Sequence, residues 1–123
     1  MTQQTTAVRS RWSDIPSEQL TPTTTRRYLT SDRVTIAQFE LKRGGVVARH
    51  SHENEQVSCV LSGLLKFTFN GQDVMVGAGE VLQIPSWLEH GVEVIEDTVV
   101  IDVFSPVRQD WIEKRDDYLR ASR

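Results

Sequence analysis

The fold is decided by the stretch Gly44-Gly-Val-Val-Ala-Arg-His50-Ser-His52-Glu-Asn-Glu-Gln56-Val-Ser-Cys-Val-Leu-Ser-Gly63. It carries two of the chain's three histidines, separated by one residue. Side chains of an extended segment repeat every two residues, so His50 and His52 project from the same side. Neutral imidazole is the commonest protein metal ligand near physiological pH. The third histidine, His90, lies far along the chain in another strand-like stretch. The reading that unites them is a single divalent metal inside a β-barrel.

Working outward, the flanking segments read as strands. Arg26–Thr30, Arg33–Leu41, Val46–Arg49, Gln56–Leu61, Leu64–Phe69, Asp73–Val76, Val81–Pro85, Gly91–Ile95 and Thr98–Phe104 are short and rich in β-branched and aromatic residues. Turn signals separate them, and Asn70-Gly71 is the strongest, because both residue types accept the positive φ of a type I′ hairpin turn. Many short strands with no helical pattern between them predict an antiparallel sandwich or barrel. Residues 1–25 read as an arm, disordered over 1–11 and anchored by Trp12, Ile15 and Leu20. Residues 26–106 read as the barrel and 107–123 as a tail. Within the tail, Trp111, Ile112, Tyr118 and Leu119 are spaced for a short amphipathic helix over Asp110–Arg120.

Bulk properties narrow the function. With 123 residues the chain is one domain with a core large enough to fold unaided. A net charge of -3 argues against a nucleic-acid surface. No apolar run approaches the roughly 18 residues of a membrane helix, and Met1–Ser10 has no apolar secretory core. One cysteine, Cys59, excludes an intrachain disulfide and fits a cytoplasmic setting. Cys59 itself reads as a small buried hydrophobe.

Parity supplies the rest of the site. Gln56, Ser58 and Val60 share one face of their strand, and Gln56 offers a neutral carbonyl oxygen as a fourth ligand. A bulge would swap that parity and turn Glu55 inward instead. Glu53 or Glu55 as ligand would make the site more anionic. Three imidazoles and an amide leave the ion its full charge, with room for a bidentate oxygen ligand. Asp102 shares a face with Val100 and Phe104; an acid on an apolar strand needs either a partner or a task. The two tasks open to it are proton transfer and support of a metal-bound histidine, and the other reading is a buried ion pair.

These residues match a family pattern. Gly44, His50, His52, Gln56 and Gly63 resemble the first cupin motif, Gly-x5-His-x-His-x3-Glu-x6-Gly, and Gly79, Pro85 and His90 resemble the second, Gly-x5-Pro-x-Gly-x2-His-x3-Asn. The stretch Ile101–Trp111, with its Asp-Val-Phe-Ser-Pro core, is similar to that of small single-domain cupins of the KdgF type. The sequence departs from the general motif at Gln56 (for Glu), Trp87 (for Gly) and Val94 (for Asn). Gln is the residue that KdgF-type sites use.

The resemblance implies an all-β cupin jelly roll with a short C-terminal helix. It implies one divalent ion per chain, Fe, Mn, Ni or Zn, held by His50, His52, Gln56 and His90. Asp102 and Arg108 become catalytic candidates. Phe104 becomes substrate-facing, joined by Ser58 on the Gln56 face and by Trp87, which with Trp111 would cover the barrel mouth. The implied partners are a small carboxylate-bearing substrate and a second copy of the chain. The implied chemistry is isomerisation or cyclisation of a uronate-like acid. Fe(II)-dependent dioxygenation, lyase chemistry and non-enzymatic binding are the competing classes.

Overall fold

The computed structural model describes residues 3–120. The disorder expected at residues 1 and 2 and the last three tail positions, 121–123, lie outside them. Residues 3–11 are exposed and form neither strand nor helix. A 3-10 turn at Trp12–Asp14 then leads into the strands β1 Glu18–Thr21, β2 Thr24–Thr30, β3 Thr35–Leu41, β4 Val46–His50, β5 Glu55–Phe69, β6 Gln72–Gly77, β7 Val81–Ile84 and β8 His90–Ser105. The segment read as an arm therefore contributes a strand, β1, hydrogen-bonded to β2.

All pairings are antiparallel, in the order β1-β2-β3-β8-β5-β6, with β4 added to β8 and β7 added to β5. Two long strands dominate. The expected pair Gln56–Leu61 and Leu64–Phe69 is one strand, β5, and Gly91–Ile95 and Thr98–Phe104 are likewise one strand, β8. Register shifts between Val60 and Leu65 bend the β5–β8 ladder. Beyond the bend, each long strand serves a different layer. The first half of β5 lies between β7 and the β3-bound half of β8, and its second half lies between β6 and the β4-bound half of β8. This is how a jelly roll closes, and it leaves the site between the two layers.

Gly63 sits at the bend with φ +94°, and a Cβ there would lie 2.2 Å from the Asp97 carbonyl oxygen and 2.3 Å from Thr98 Oγ1. Only glycine fits, in conformation and in space. Asn70 and Gly71 have φ of 46° and 79° and join β5 to β6 as the hairpin that their residue types predict.

The core is built from alternate residues of these strands: Phe39 and Leu41, Val60 and Leu65, Phe67 and Val100. Each such side chain contributes about 1.5–3 kcal/mol by leaving water. The tail is not one helix. It forms two single turns, α1 Gln109–Ile112 and α2 Asp117–Arg120, broken at Lys114, whose φ is +62°. Short isolated turns are not stable alone. These are held by packing of Trp111 and Leu119 in the core and by an ion-pair clasp. Buried Arg26 meets Glu18 at 3.0 Å and Asp116 at 2.9 Å, and Arg120 meets Asp116 at 2.6 Å. The tail thereby closes over one end of the barrel.

Candidate metal centre

The site assembles where β4 ends and β8 begins. His50, last residue of β4, pairs across the ladder with His90, first residue of β8. His52 follows in the loop to β5, and Gln56 stands at the start of β5 opposite Phe104 of β8 and Ile84 of β7. Burial alternates through this stretch. His52, Asn54, Gln56 and Ser58 are buried, whereas Glu53 and Glu55 are exposed. Gln56 is turned inward as its parity predicts, and the carboxylates of Glu53 and Glu55 are on the exposed side.

The ligating nitrogens of His50, His52 and His90 lie within 4.8 Å of one another. Each imidazole meets, through Nδ1, a backbone carbonyl two residues away: Ala48 at 2.8 Å, Asn54 at 3.0 Å and Leu88 at 2.9 Å. A carbonyl only accepts, so Nδ1 carries the proton and Nε2 is left with its lone pair. Burial lowers the pKa of all three. His50 and His52 fall to about 4, and the positive charge of Arg108 adds to the effect at His52 and His90. The rings are neutral at pH 7, as metal ligands must be.

The donor set fits a cation. Gln56 Nε2 donates to Ser58 Oγ at 2.9 Å, which aims Oε1 at His52 Nε2, 3.1 Å away. His52 then has an acceptor oxygen against each ring nitrogen, but a neutral imidazole carries one N–H. A cation held by His52 and Gln56 would resolve the conflict, since both atoms would then act as lone-pair donors.

Surrounding contacts hold this loop. Trp87 N–H donates to the His52 carbonyl at 2.8 Å, and Ser86 Oγ to the Glu53 carbonyl at 2.6 Å. Asn54, which sequence reasoning passed over, donates to the carbonyls of Pro106 and Val107 at 2.6 and 3.1 Å, tying the ligand loop to the root of the tail.

Beside the histidines is a cavity of about 60 Å³, lined among others by His50, Gln56, His90, Asp102, Phe104 and Arg108. Asp102 pairs with Ser58 across β5–β8, and its Oδ1 is buried with no hydrogen-bond partner. Burial raises its carboxyl to about 6, with the Ser58 hydroxyl and the charge of Arg108 pulling the other way. Asp102 is therefore not a salt-bridge partner. Arg108 is almost fully buried, and Thr35 Oγ1 accepts its backbone N–H at 2.9 Å. Its guanidinium lies 4.7 Å from the Phe104 ring centroid and 4.5 Å from that of Trp111. Its Nε and Nη2 donate to Asp110 at 3.0 and 2.8 Å, and Nη2 also to the Tyr118 hydroxyl. Burial alone would lower the Arg108 pKa, but Asp110 outweighs it and holds it above the ordinary value. That edge of the fork is already taken by Asp110 and is not open to a substrate carboxylate.

Two expected substrate contacts are absent from the cavity wall. Ser58 sits behind Gln56, fully buried, and supports the amide. Trp87 adopts φ +66°, and its indole is 66% exposed, away from the cavity. Conversely, Trp111, Tyr118 and Leu119 of the tail do line it. Tyr118 packs on His50 with ring centroids 5.1 Å apart. Of the two tryptophans read as covering the barrel mouth, only Trp111 lines the cavity, whereas nothing local signalled that Tyr118 and Leu119 would be buried against the site.

The cupin domain profile matches residues 37–104. The chain is a member of the cupin family. The matched span holds every proposed metal ligand. Among curated relatives, the pectin degradation protein KdgF of Dickeya dadantii (strain 3937) is 26% identical over 102 residues, 80% of this chain and 93% of that protein. Among solved structures, KdgF from a Halomonas species aligns with a TM-score of 0.74 at 25% identity, covering 80% of this cupin and 94% of that chain. An RmlC-like cupin from Shewanella frigidimarina aligns with a TM-score of 0.77 at 24% identity, over 83% and 93% respectively. The jelly-roll fold and the likeness to KdgF expected from the two motifs are both upheld. No helix among the described residues is long and apolar enough to cross a membrane.

Proposed function

We propose that this cupin is a metal-dependent isomerase or cyclase for a small uronate-like sugar acid or keto acid. The observation that carries the reading is Asp102, whose unpartnered Oδ1 is buried on the wall of the cavity that His50, Gln56 and His90 also line. An acid with a pKa of about 6 both gives and takes protons near neutral pH. His50, His52, Gln56 and His90 would hold one divalent ion per chain, which would supply Lewis-acid polarisation to a substrate oxygen.

The chain's own residues do the rest. In an enol-to-keto conversion a proton leaves oxygen and a proton joins the neighbouring carbon. Asp102 accepts the first and donates the second. Arg108 provides positive charge for the substrate carboxylate from a position fixed by Asp110, and Phe104 forms an apolar side of the cavity. The likeness to KdgF, described for Dickeya as a pectin degradation protein, supports an acidic sugar as the substrate class.

The proposal extends to a homodimer. The outer face of the β7–β5–β8–β3 layer carries Val81, Val57, Cys59, Ile101, Val103 and Ile36 in register, interrupted by Gln83 and Gln38. Val81 is 61% exposed. Light scattering should give twice the single-chain mass, and a monomer mass would refute this.

The activity is tested by loading the protein with Mn(II), Fe(II), Ni(II) or Zn(II) and following an unsaturated uronate by NMR beside an oxygen electrode. Conversion without oxygen uptake, lost in Asp102→Asn, is the expected outcome. Uptake found only with iron would replace the proposal with dioxygenation.

A further inference from the structure

Among the described residues, three buried side-chain polar atoms have no hydrogen-bond partner: Asp102 Oδ1, Trp111 Nε1 and Arg26 Nη1. The first two belong to residues on the wall of the same cavity. Arg26 is not on that wall, and its other nitrogens pair with Glu18 and Asp116. A buried N–H with no acceptor is destabilising, so an orphan indole in a well-packed core calls for an explanation.

The surroundings of Trp111 supply one. The side chain is almost fully buried, and its ring is covered by two guanidinium groups, Arg26 at 4.4 Å and Arg108 at 4.5 Å. Tyr28, Phe39 and Phe104 meet it edge-on at centroid distances of 5.1, 6.1 and 5.2 Å. None of these neighbours accepts a hydrogen bond from the indole N–H. The Trp111 ring also lines the cavity, so an acceptor bound there is the partner that the indole N–H lacks within the protein.

We propose that Trp111 is a substrate-binding residue whose indole N–H donates a hydrogen bond to an anionic oxygen of the acidic ligand held in the cavity. The tail is then part of the substrate site, with Trp111 as a donor on the cavity wall that also carries Asp102. The inference rests on the reading of the cavity as a site for a carboxylate-bearing ligand. It adds a recognition contact from outside the span that defines the family.

The test is an indole 1H–15N NMR titration of the Zn(II)-loaded full chain with pyruvate, and separately with galacturonate. The three tryptophan signals are assigned with Trp12→Phe and Trp87→Phe. Binding is monitored independently through the backbone amides of His50, Gln56 and His90. The expected result is a downfield shift and slowed exchange of the Trp111 indole proton, saturating together with those amides. Trp111→Phe, which retains an aromatic ring, should weaken pyruvate binding about 10- to 100-fold while Zn(II) affinity stays unchanged. Saturating amide shifts with an unmoved Trp111 indole would overturn the inference and leave the carboxylate site intact. Absence of any amide shift with both acids would overturn the carboxylate site, and the inference with it. The wild-type titration decides the matter even if Trp111→Phe fails to fold.

Discussion

His50 and His90 stand opposite one another on β4 and β8, with ring centroids 4.4 Å apart. Ladder pairing sets this proximity, with no contribution from closeness in sequence. Removing either imidazole leaves the other's Nε2 without its co-ligand. His90→Ala should therefore weaken Zn(II) or Mn(II) affinity by roughly 100-fold or more, beyond the 10–100-fold typical of losing a supporting partner. Competition with a chromophoric chelator measures this. Unchanged affinity would remove His90 from the ligand set.

Asp102 combines a catalytic candidate with a stability cost. Its folded-state pKa, about 6, lies above its ordinary value of 3.8. The penalty on the charged form is thus fully present above pH 6 and fades as pH falls through 6 toward 3.8. Asp102→Asn should stabilise the apoprotein by about 1–3 kcal/mol at pH 8 and abolish turnover. Urea denaturation at pH 8 and at pH 4 checks the sign: the gain should be present at pH 8 and lost at pH 4.

The histidines act in the opposite sense. Their folded-state pKa values lie below 6.5, with His50 and His52 at about 4. Above 6.5 they are neutral whether folded or unfolded. Between 6.5 and 4 the unfolded chain binds protons that the folded chain refuses, so stability falls. Three histidines outweigh the relief at Asp102, and the apoprotein should lose stability across this window. Bound Zn(II) should raise stability across the window without removing the slope, because the metal binds the folded chain's neutral rings while the unfolded chain still takes up protons. Thermal unfolding with and without Zn(II) from pH 7 to pH 4 reads both effects.

Trp87 occupies the position where the general second motif has glycine, and it does so at φ +66°. A bulky residue there carries backbone strain of about 1 kcal/mol. Its indole is largely exposed, so little burial is lost on removal. Trp87→Gly should be neutral or stabilising by up to about 1 kcal/mol, with metal affinity unchanged because the N–H to the His52 carbonyl is retained. A destabilisation of more than about 1 kcal/mol would show that the indole has a packing role.

The Gly44–Gly63 stretch carried the signal for the fold and for three of the four proposed ligands, and the second motif supplied His90. Alternation of period two placed His50, His52, Gln56 and Ser58 on the inner side. Gly63 marked the one place where β5 passes too close to Asp97 and Thr98 for any side chain. Asn70-Gly71 marked the hairpin, since only certain residues accept its backbone. These are local requirements, and local requirements are legible in order along a chain.

The substrate side was decided by tertiary structure alone. Whether Arg108 offers a free fork depended on Asp110 two residues on and on Tyr118 arriving from α2. Trp87 pointed outward because of one backbone angle, and Ser58 was screened by Gln56. Trp111 and Tyr118 reached the cavity because buried Arg26 binds Asp116 and draws the tail across the barrel end. Each of these depends on which distant groups share a buried space. Neither residue type nor spacing encodes that, because desolvation and pairing act only after the layers have closed.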